Sequence, residues 1–211
     1  MEKLMNKEVE MMNILIGCEE SQTVCKAFRA RGHEAYSNDL KPCSGGHPEW
    51  HLQCDVMEAL FFKRWDLIIL HPDCTCLAVS GNAHYGQGTP GYLKRVAAIQ
   101  WTKILWDTAI FMCGQVILEN SVSVIFKYLS GGHLQYIQPY QFGHSESKKT
   151  GLYLHGLPPL MPTELISVPE RGYWDNQTPS RQNKLGPSEN RKAIRSKTYP
   201  GIAAAMAEQW G

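Results

Sequence analysis

No stretch of this 211-residue sequence approaches the roughly 20 consecutive apolar residues that a membrane-spanning helix needs, so no membrane partner is expected. The start, MEKLMNKEVEMM, is charged and carries no apolar h-region, which argues against a secretory signal and for a cytoplasmic setting. Net charge is nearly absent at +1, so bulk charge speaks neither for nor against a polyanionic partner. Internal repeats and low-complexity tracts are missing. The seven cysteines are odd in number and follow no framework spacing, as in a reducing compartment. Cys74 and Cys76 form a CxC, but no second Cys/His pair at ligand spacing accompanies them, so no metal is expected.

What is present suits a globular protein: 43% hydrophobic and 19% charged residues in a length most naturally folded as one domain. Residues 1–11 read as a flexible leader, with Met11 or Met12 an alternative start, and 12–211 as a single domain. A short strand over Ile14–Ile16 ends at Gly17, and a helix follows in which Ser21 can cap the start and Val24, Cys25 and Phe28 share a face. A second strand finishes at Asp39, and "LQCDV" is a third, ending at Asp55. One or two helical turns in "MEALFFKRW" lead to "DLIIL", the most apolar strand. It delivers His71-Pro72-Asp73-Cys74 into a loop. The stretch "SGNAHYGQGTPG" has four glycines and no hydrophobic period, which predicts a mobile or ligand-shaped loop. A long helix spans 92–112, with Val96, Ile99, Ile104, Leu105 and Phe111 mostly inward. "QVILEN" is another buried strand. Past residue 130 the pattern weakens to one strand over Leu152–Leu154 and a closing helix in "PGIAAAMAEQW".

Strands alternating with helices across short loops predict an α/β fold, a doubly wound, mostly parallel sheet in three layers, whose ligands sit at the carboxyl ends of the strands. The polar residues fall there: Gly17-Cys18-Glu19-Glu20, Asp39, Asp55, His71 to Cys74, and Glu119-Asn120. Asp39 and Asp55 singly are ordinary helix caps or loop carboxylates. Together, after a glycine at the first strand, they suit a nucleoside, since a carboxylate accepts both ribose hydroxyls. A thiol at a strand end near a helix start can have a lowered pKa and act as a nucleophile, and Cys74 is so placed; the plain alternative is an inert loop cysteine. Glu119 ends a wholly apolar strand, where burying a carboxylate without a task is costly. Beside a cysteine it can hold a proton for a heterocycle nitrogen.

These pieces, in this order, resemble the C5-cytosine DNA methyltransferases, and more closely their small phage- and prophage-encoded relatives. "ILIGCEES" is similar to the cofactor-binding first motif, "SNDL" and "CDV" to the acidic second and third, "HPDCTCLAVSG" to the catalytic Pro-Cys motif and "VILENSVSV" to the Glu-Asn motif. "FGHSESKKTGLYL" resembles the arginine-bearing strand motif and "RSKTYPGIAAAMAEQW" the terminal motif that completes the cofactor pocket. The resemblance implies a Rossmann-like S-adenosylmethionine-dependent methyltransferase fold. It further implies the cytoplasm of a bacterial host, with Gly17, Cys18, Glu19, Asp39, Asp55, Pro72 and Ser196 around S-adenosyl-L-methionine.

By the same resemblance Cys74 attacks C6 of cytosine, Glu119 protonates or hydrogen-bonds N3 and Asn120 supports the loop, on a base that is flipped out or single-stranded. Ser80, Asn82, Lys148, Lys149, Arg181, Lys184, Arg191 and Arg195 would meet the nucleic acid, duplex or single-stranded. Lys148 and Lys149 stand where the family has arginines, and a lysine cannot make a bidentate guanidinium contact. A basic loop over 175–197 occupies the place of a target-recognition domain. It suits phosphate contacts or plain solvation, and leaves room for a separate specificity protein. Three other activities fit the residues: methylation of an exocyclic amine, pyrimidine modification on single strands or free nucleotides, and a degenerate nucleic-acid-binding or anti-defence protein. The first is opposed by Cys74 standing where those enzymes place a stacking aromatic.

Overall fold

The structure is a computed structural model in which residues 10–185 and 197–211 are described. Seven strands form one mixed sheet: β1 (Asn13–Gly17), β2 (Glu34–Asn38), β3 (His51–Leu52), β4 (Leu67–Leu70), β5 (Val116–Ser121), β6 (His133–Ile137) and β7 (Thr150–His155). Their order is β3-β2-β1-β4-β5-β7-β6, parallel throughout except that β7 runs antiparallel to both β5 and β6. This is the doubly wound, mostly parallel, Rossmann-like α/β architecture that the sequence pattern implies.

Alternation along the strands builds two cores. Ile14, Ile16, Leu67, Ile69 and Ile117 face one side and pack with Val24 and Phe28 of α1 (Thr23–Arg29) and with Ile202, Met206 and Trp210 of the last helix. Leu15, Ile68, Leu70, Val116 and Leu118 face the other, against Leu60 of α2 (Val56–Phe61) and Leu105 and Trp106 of α4 (Tyr92–Met112). Because both faces of each central strand are covered, the strands read as continuous apolar runs, which is what made β4 and β5 visible. The last helix, here α5 (Pro200–Trp210), begins with proline at its first turn, where a missing N–H costs nothing. Among the described residues no helix is long and apolar enough to cross a membrane.

Several local expectations need correction. Gln22, not Ser21, occupies the cap position of α1, in a left-handed conformation (φ 57°) and with no side-chain bond of its own to the helix, while Ser21 Oγ accepts only a long bond from Thr23 N (3.4 Å). The buried Gln22 side chain instead fastens the loop before β3, donating to Ser37 Oγ (3.1 Å) and the His47 carbonyl (2.8 Å) and accepting from His47 N (3.0 Å). The bounds of α4 match the hydrophobic period, and Leu105 and Ile99 of its expected inward face pack on the core, but the rest of that face does not hold. Ile104 and Phe111 are exposed, whereas Arg95, Thr102, Leu105, Trp106 and Ala109 are buried. The helix carries apolar residues on more than one side, so periodicity alone leaves its rotation open. Nor is the stretch from Ser80 to Gly91 featureless. A 3-10 turn over Val79–Gly81 runs into a short helix, α3 (Asn82–Tyr85). Buried Arg95 ties it down by donating to the Cys76 carbonyl (2.7 Å), Asn82 Oδ1 (2.7 Å) and the Ala78 carbonyl (3.0 Å). Finally β6, short and largely exposed on a sheet edge, does not stand out from its surroundings as the buried strands do.

Candidate active site at the carboxyl edge of the sheet

Parallel pairing sets the carboxyl ends of β1, β2, β4 and β5 side by side. Gly17 pairs with Asn38 and Leu70, and Leu70 in turn with Leu118. The residues one step further on therefore meet, although they are up to 100 positions apart in sequence.

At the β1–β2 end, Gly17 is required by crowding: a Cβ there would lie 2.8 Å from Val56 and 2.9 Å from a Leu70 methyl. Cys18 follows with φ 60°, and its thiol is pushed up to about 12 by burial and then by the charges of Asp39, Asp55 and Asp73. Three carboxylates thus converge on one point. Asp39 accepts from Lys41 N (3.0 Å) and Asp55 caps α2 through Met57 N (2.8 Å), so each uses one oxygen locally. Asn38 Oδ1 is buried with no donor among the described residues. A glycine-tight first turn, carboxylates at the next strand ends and an unsatisfied acceptor make an acceptor set suited to the hydroxyls of a nucleoside carrying a cationic tail, the chemistry that S-adenosyl-L-methionine would present. Glu19 departs from its expected cofactor role. It is 5% exposed, and its carboxylate accepts from the α1 amides of Val24 (2.7 Å) and Cys25 (3.2 Å). It is the real cap of α1, and burial raises its pKa despite these bonds. Nothing in the spacing distinguished a capping acid from a ligand.

At the β4–β5 end, Pro72 is buried and its carbonyl accepts from Asn120 Nδ2 (3.0 Å), which fastens the Cys74 loop to β5. Cys74 itself is exposed, yet its pKa is raised, first by desolvation of the thiol and then by Asp73 and Glu119. Strand-end position alone therefore does not lower it, contrary to the sequence expectation. Two groups oppose the rise, Ser121 and Lys148. The Ser121 hydroxyl is buried and makes no conventional hydrogen bond among the described residues, so its influence on the sulfur acts over a longer contact.

Glu119 Oε2 lies 3.1 Å from His71 Nδ1, and the two side chains are 16% and 10% exposed. Burial drives the Glu119 carboxyl up, but the hydrogen bond and electrostatic pull of His71, aided by Lys148, outweigh it and hold the pKa below the ordinary value. His71 and Lys148 thus favour the charged form of Glu119 against the effect of its burial. It borders a narrow cleft with Lys148, Thr150, Tyr199, Ile202 and Met206, whose volume of about 10 Å³ holds one water and no pyrimidine.

The two lysines part company. Lys148 donates to the Lys197 carbonyl (3.3 Å) and acts on both Cys74 and Glu119, whereas exposed Lys149 stands 4.4 Å over the Tyr136 ring. Ser80 and Asn82 are exposed at the edge of the Arg95-anchored segment. Exposed Arg181 has φ 61°, and Lys184 donates to the Asp175 carbonyl (2.8 Å), so neither joins the cluster. Arg191, Arg195 and Ser196 lie outside the described residues. Sequence reasoning did not single out His71, Ser121 or Arg95 for roles of their own. His71 was visible at a strand end, but nothing near it in sequence announced Glu119 as its partner. Among the described residues no group of three or more His, Cys, Asp or Glu side chains is placed to hold a metal.

No protein-family model matches the sequence, and no curated protein matches it. Among solved structures the chain is similar to a candidate DNA modification methyltransferase encoded within an E. coli prophage, with 11% identity, TM-score 0.49, and coverage of 74% of this chain and 52% of that one. It is also similar to the S. pombe Dnmt2 methyltransferase (14%, 0.48, 71% and 51%). The Entamoeba histolytica methyltransferase EhMeth is a third (10%, 0.48, 75% and 58%). The chain thus spans about half the length of these structures. At such scores the likeness says nothing of what this chain acts on.

Proposed function

We propose that the protein is an S-adenosyl-L-methionine-dependent methyltransferase acting on C5 of cytosine in DNA through a covalent bond between Cys74 and C6. The observation that carries this reading is the meeting of Cys74 and Glu119 at adjacent strand ends, under one shared cation, Lys148.

The cofactor, held by the turn at Gly17 and Cys18 and by Asp39 and Asp55, supplies an electrophilic methyl group. The protein's own residues do the rest. Cys74 is exposed and must give its proton to water before the sulfur attacks C6. In the resting site Asp73 and Glu119 disfavour the thiolate, and Lys148 and Ser121 favour it. Once Glu119 passes a proton to N3 and the ring takes up charge, addition at C6 makes C5 nucleophilic. Asn120, bonded to the Pro72 carbonyl, keeps the nucleophile's loop in register with β5. The base must leave its stack to reach the thiol. The cleft beside Glu119 must also widen to admit it, and the segment from Ser80 to Gly91 is the element above the loop that can move, as catalytic lids do. A DNA partner, with or without a separate specificity protein, follows from this chemistry, and single strands or free nucleotides are the alternative substrates.

The test is incubation with methyl-labelled S-adenosyl-L-methionine and, in parallel, duplex DNA, single-stranded DNA and cytosine nucleotides, followed by nucleoside digestion and mass spectrometry. 5-Methylcytosine is expected. A second reading, a nucleic-acid-binding protein without catalysis, is favoured by the raised Cys74 pKa and the closed cleft. Absence of label in every substrate, together with absence of cofactor binding by calorimetry, selects it.

A further inference from the structure

The side of α4 that turns away from the sheet is itself apolar. At about 100° per residue, Leu93, Ala97, Trp101, Ile104, Thr108 and Phe111 fall within an arc of roughly 80°. None of the six is buried. Phe111 is 90% exposed, Leu93 77%, Ile104 58% and Trp101 40%. The opposite side, with Leu105, Trp106 and Ala109, already packs on the sheet, so the helix carries two apolar faces and the core uses one. From Leu93 to Phe111 the row runs five turns, about 27 Å. Single exposed apolar residues are ordinary, but a continuous row of this length marks an interaction surface. Charge is confined to its flanks, where Lys103 and Asp107 pair with each other on one side and Lys94 stands on the other.

The row has the same spacing from either end, to within one residue. Leu93 and Phe111 stand equally far from a midpoint level with Thr102 and Lys103, Ala97 and Thr108 stand nearer, and Trp101 and Ile104 flank the centre. A two-fold contact with a second copy requires such symmetry, and a partner of different sequence does not. We infer that this face of α4 is the interface of a homodimer, with the second copy's helix lying antiparallel on the first. Leu93 then meets the partner's Phe111, Ala97 the partner's Thr108 and Trp101 the partner's Ile104. Lys94 falls opposite apolar positions 110 and 111, and Asp107 opposite the alanines at 97 and 98, so no charge is set against a like charge. The area suffices. With ~150–250 Å² for a whole aromatic side chain, Leu93, Trp101, Ile104 and Phe111 leave on the order of 500 Å² open. Two such faces, with their flanks, clear the ~1,000 Å² in total that a specific interface needs. Since α4 starts beside the Cys74 loop, where Arg95 reaches the Cys76 carbonyl, antiparallel seating puts the two candidate active sites at opposite ends of the helix pair.

Sedimentation equilibrium of the purified chain through the micromolar range tests this. A species of twice the 23.8 kDa chain mass is expected. Phe111→Glu sets a carboxylate against the partner's Leu93 at both ends of the contact and should weaken association roughly 100-fold or more. The urea midpoint of the monomer should not fall, because the side chain is exposed. Adding Leu93→Lys to Phe111→Glu places a cation over each new anion only in the antiparallel register, and should recover most of the lost affinity. A single-chain mass at every concentration overturns the inference and leaves the face to a partner of other sequence. A wild-type dimer that Phe111→Glu leaves intact overturns it too. A dimer broken by Phe111→Glu and not mended by the added Leu93→Lys overturns the antiparallel seating. Should Phe111→Glu fail to fold, Ile104→Glu at the centre of the row takes its place, and a dimer it leaves intact overturns the inference. Every one of these results leaves the methyltransferase reading where it stands.

Discussion

Two thiols stand at the carboxyl ends of adjacent parallel strands, Cys18 after β1 and Cys74 after β4, and the fold treats them differently. Cys18 is driven up to about 12 first by burial and then by Asp39, Asp55 and Asp73, with no cation among the causes of its shift. Cys74 also feels Asp73, and Glu119 besides, but Lys148 and Ser121 pull the other way. Being at a strand end places a sulfur near a ligand; it does not activate it. The charges brought in by the other strands decide which end binds a cation and which can hold a thiolate. In a partly desolvated site a single charge within a few ångströms shifts a pKa by about a unit or more.

The sharpest way to break this comparison is Cys74→Ser, which should cut methyl transfer by roughly 10⁴-fold or more and leave cofactor binding by calorimetry unchanged. Unchanged transfer would remove the covalent mechanism. Next in size is Arg95→Met. It strips three part-buried acceptors of their charged donor and should cost ~3 kcal/mol in denaturant unfolding. Because Arg95 anchors only the segment over Cys74, iodoacetamide should then reach Cys74 faster, with no gain at Cys18.

Charge variants sharpen the contrast further. Lys148→Gln removes a cation and should slow Cys74 alkylation by up to about tenfold, while Glu119→Gln removes an opposing anion and should speed it, though methyl transfer is lost. Asp73→Asn should speed both thiols and Asp39→Asn only Cys18; peptide mapping by mass spectrometry reads each rate. The smallest effect concerns stability against pH. The Glu119 pKa is depressed, so its contribution is complete above the ordinary value of 4.5 and is lost as pH falls through the lower folded value. The Glu19 pKa is raised, so its contribution is present below 4.5 and fades as pH rises through the higher folded value. Glu119→Gln should therefore lose ~1 kcal/mol less than wild type on acidification below pH 4.5, and Glu19→Gln should lose less on the rise above it; urea midpoints across pH measure both.

The amino-terminal half was legible because its strands are covered on both faces, which leaves unbroken apolar runs such as Leu67–Leu70 ending in polar loops. The carboxyl-terminal half was less so, since β6 is an exposed edge and β7 pairs antiparallel to its neighbours. α4 shows the limit within one element: its ends were readable, but Phe111 and Ile104 face solvent because neighbouring packing set the rotation.

From sequence alone came the α/β class, the succession of the first five strands along the chain and the placing of Cys74, Glu119, Asp39 and Asp55 at strand ends, because hydrophobic periodicity and chain direction are local properties. Only the tertiary structure decided that Glu19 caps α1, that His71 hydrogen-bonds Glu119, and that Lys148 acts on both the thiol and the acid. Each depends on which distant charges share a desolvated space, and no local spacing carries that information.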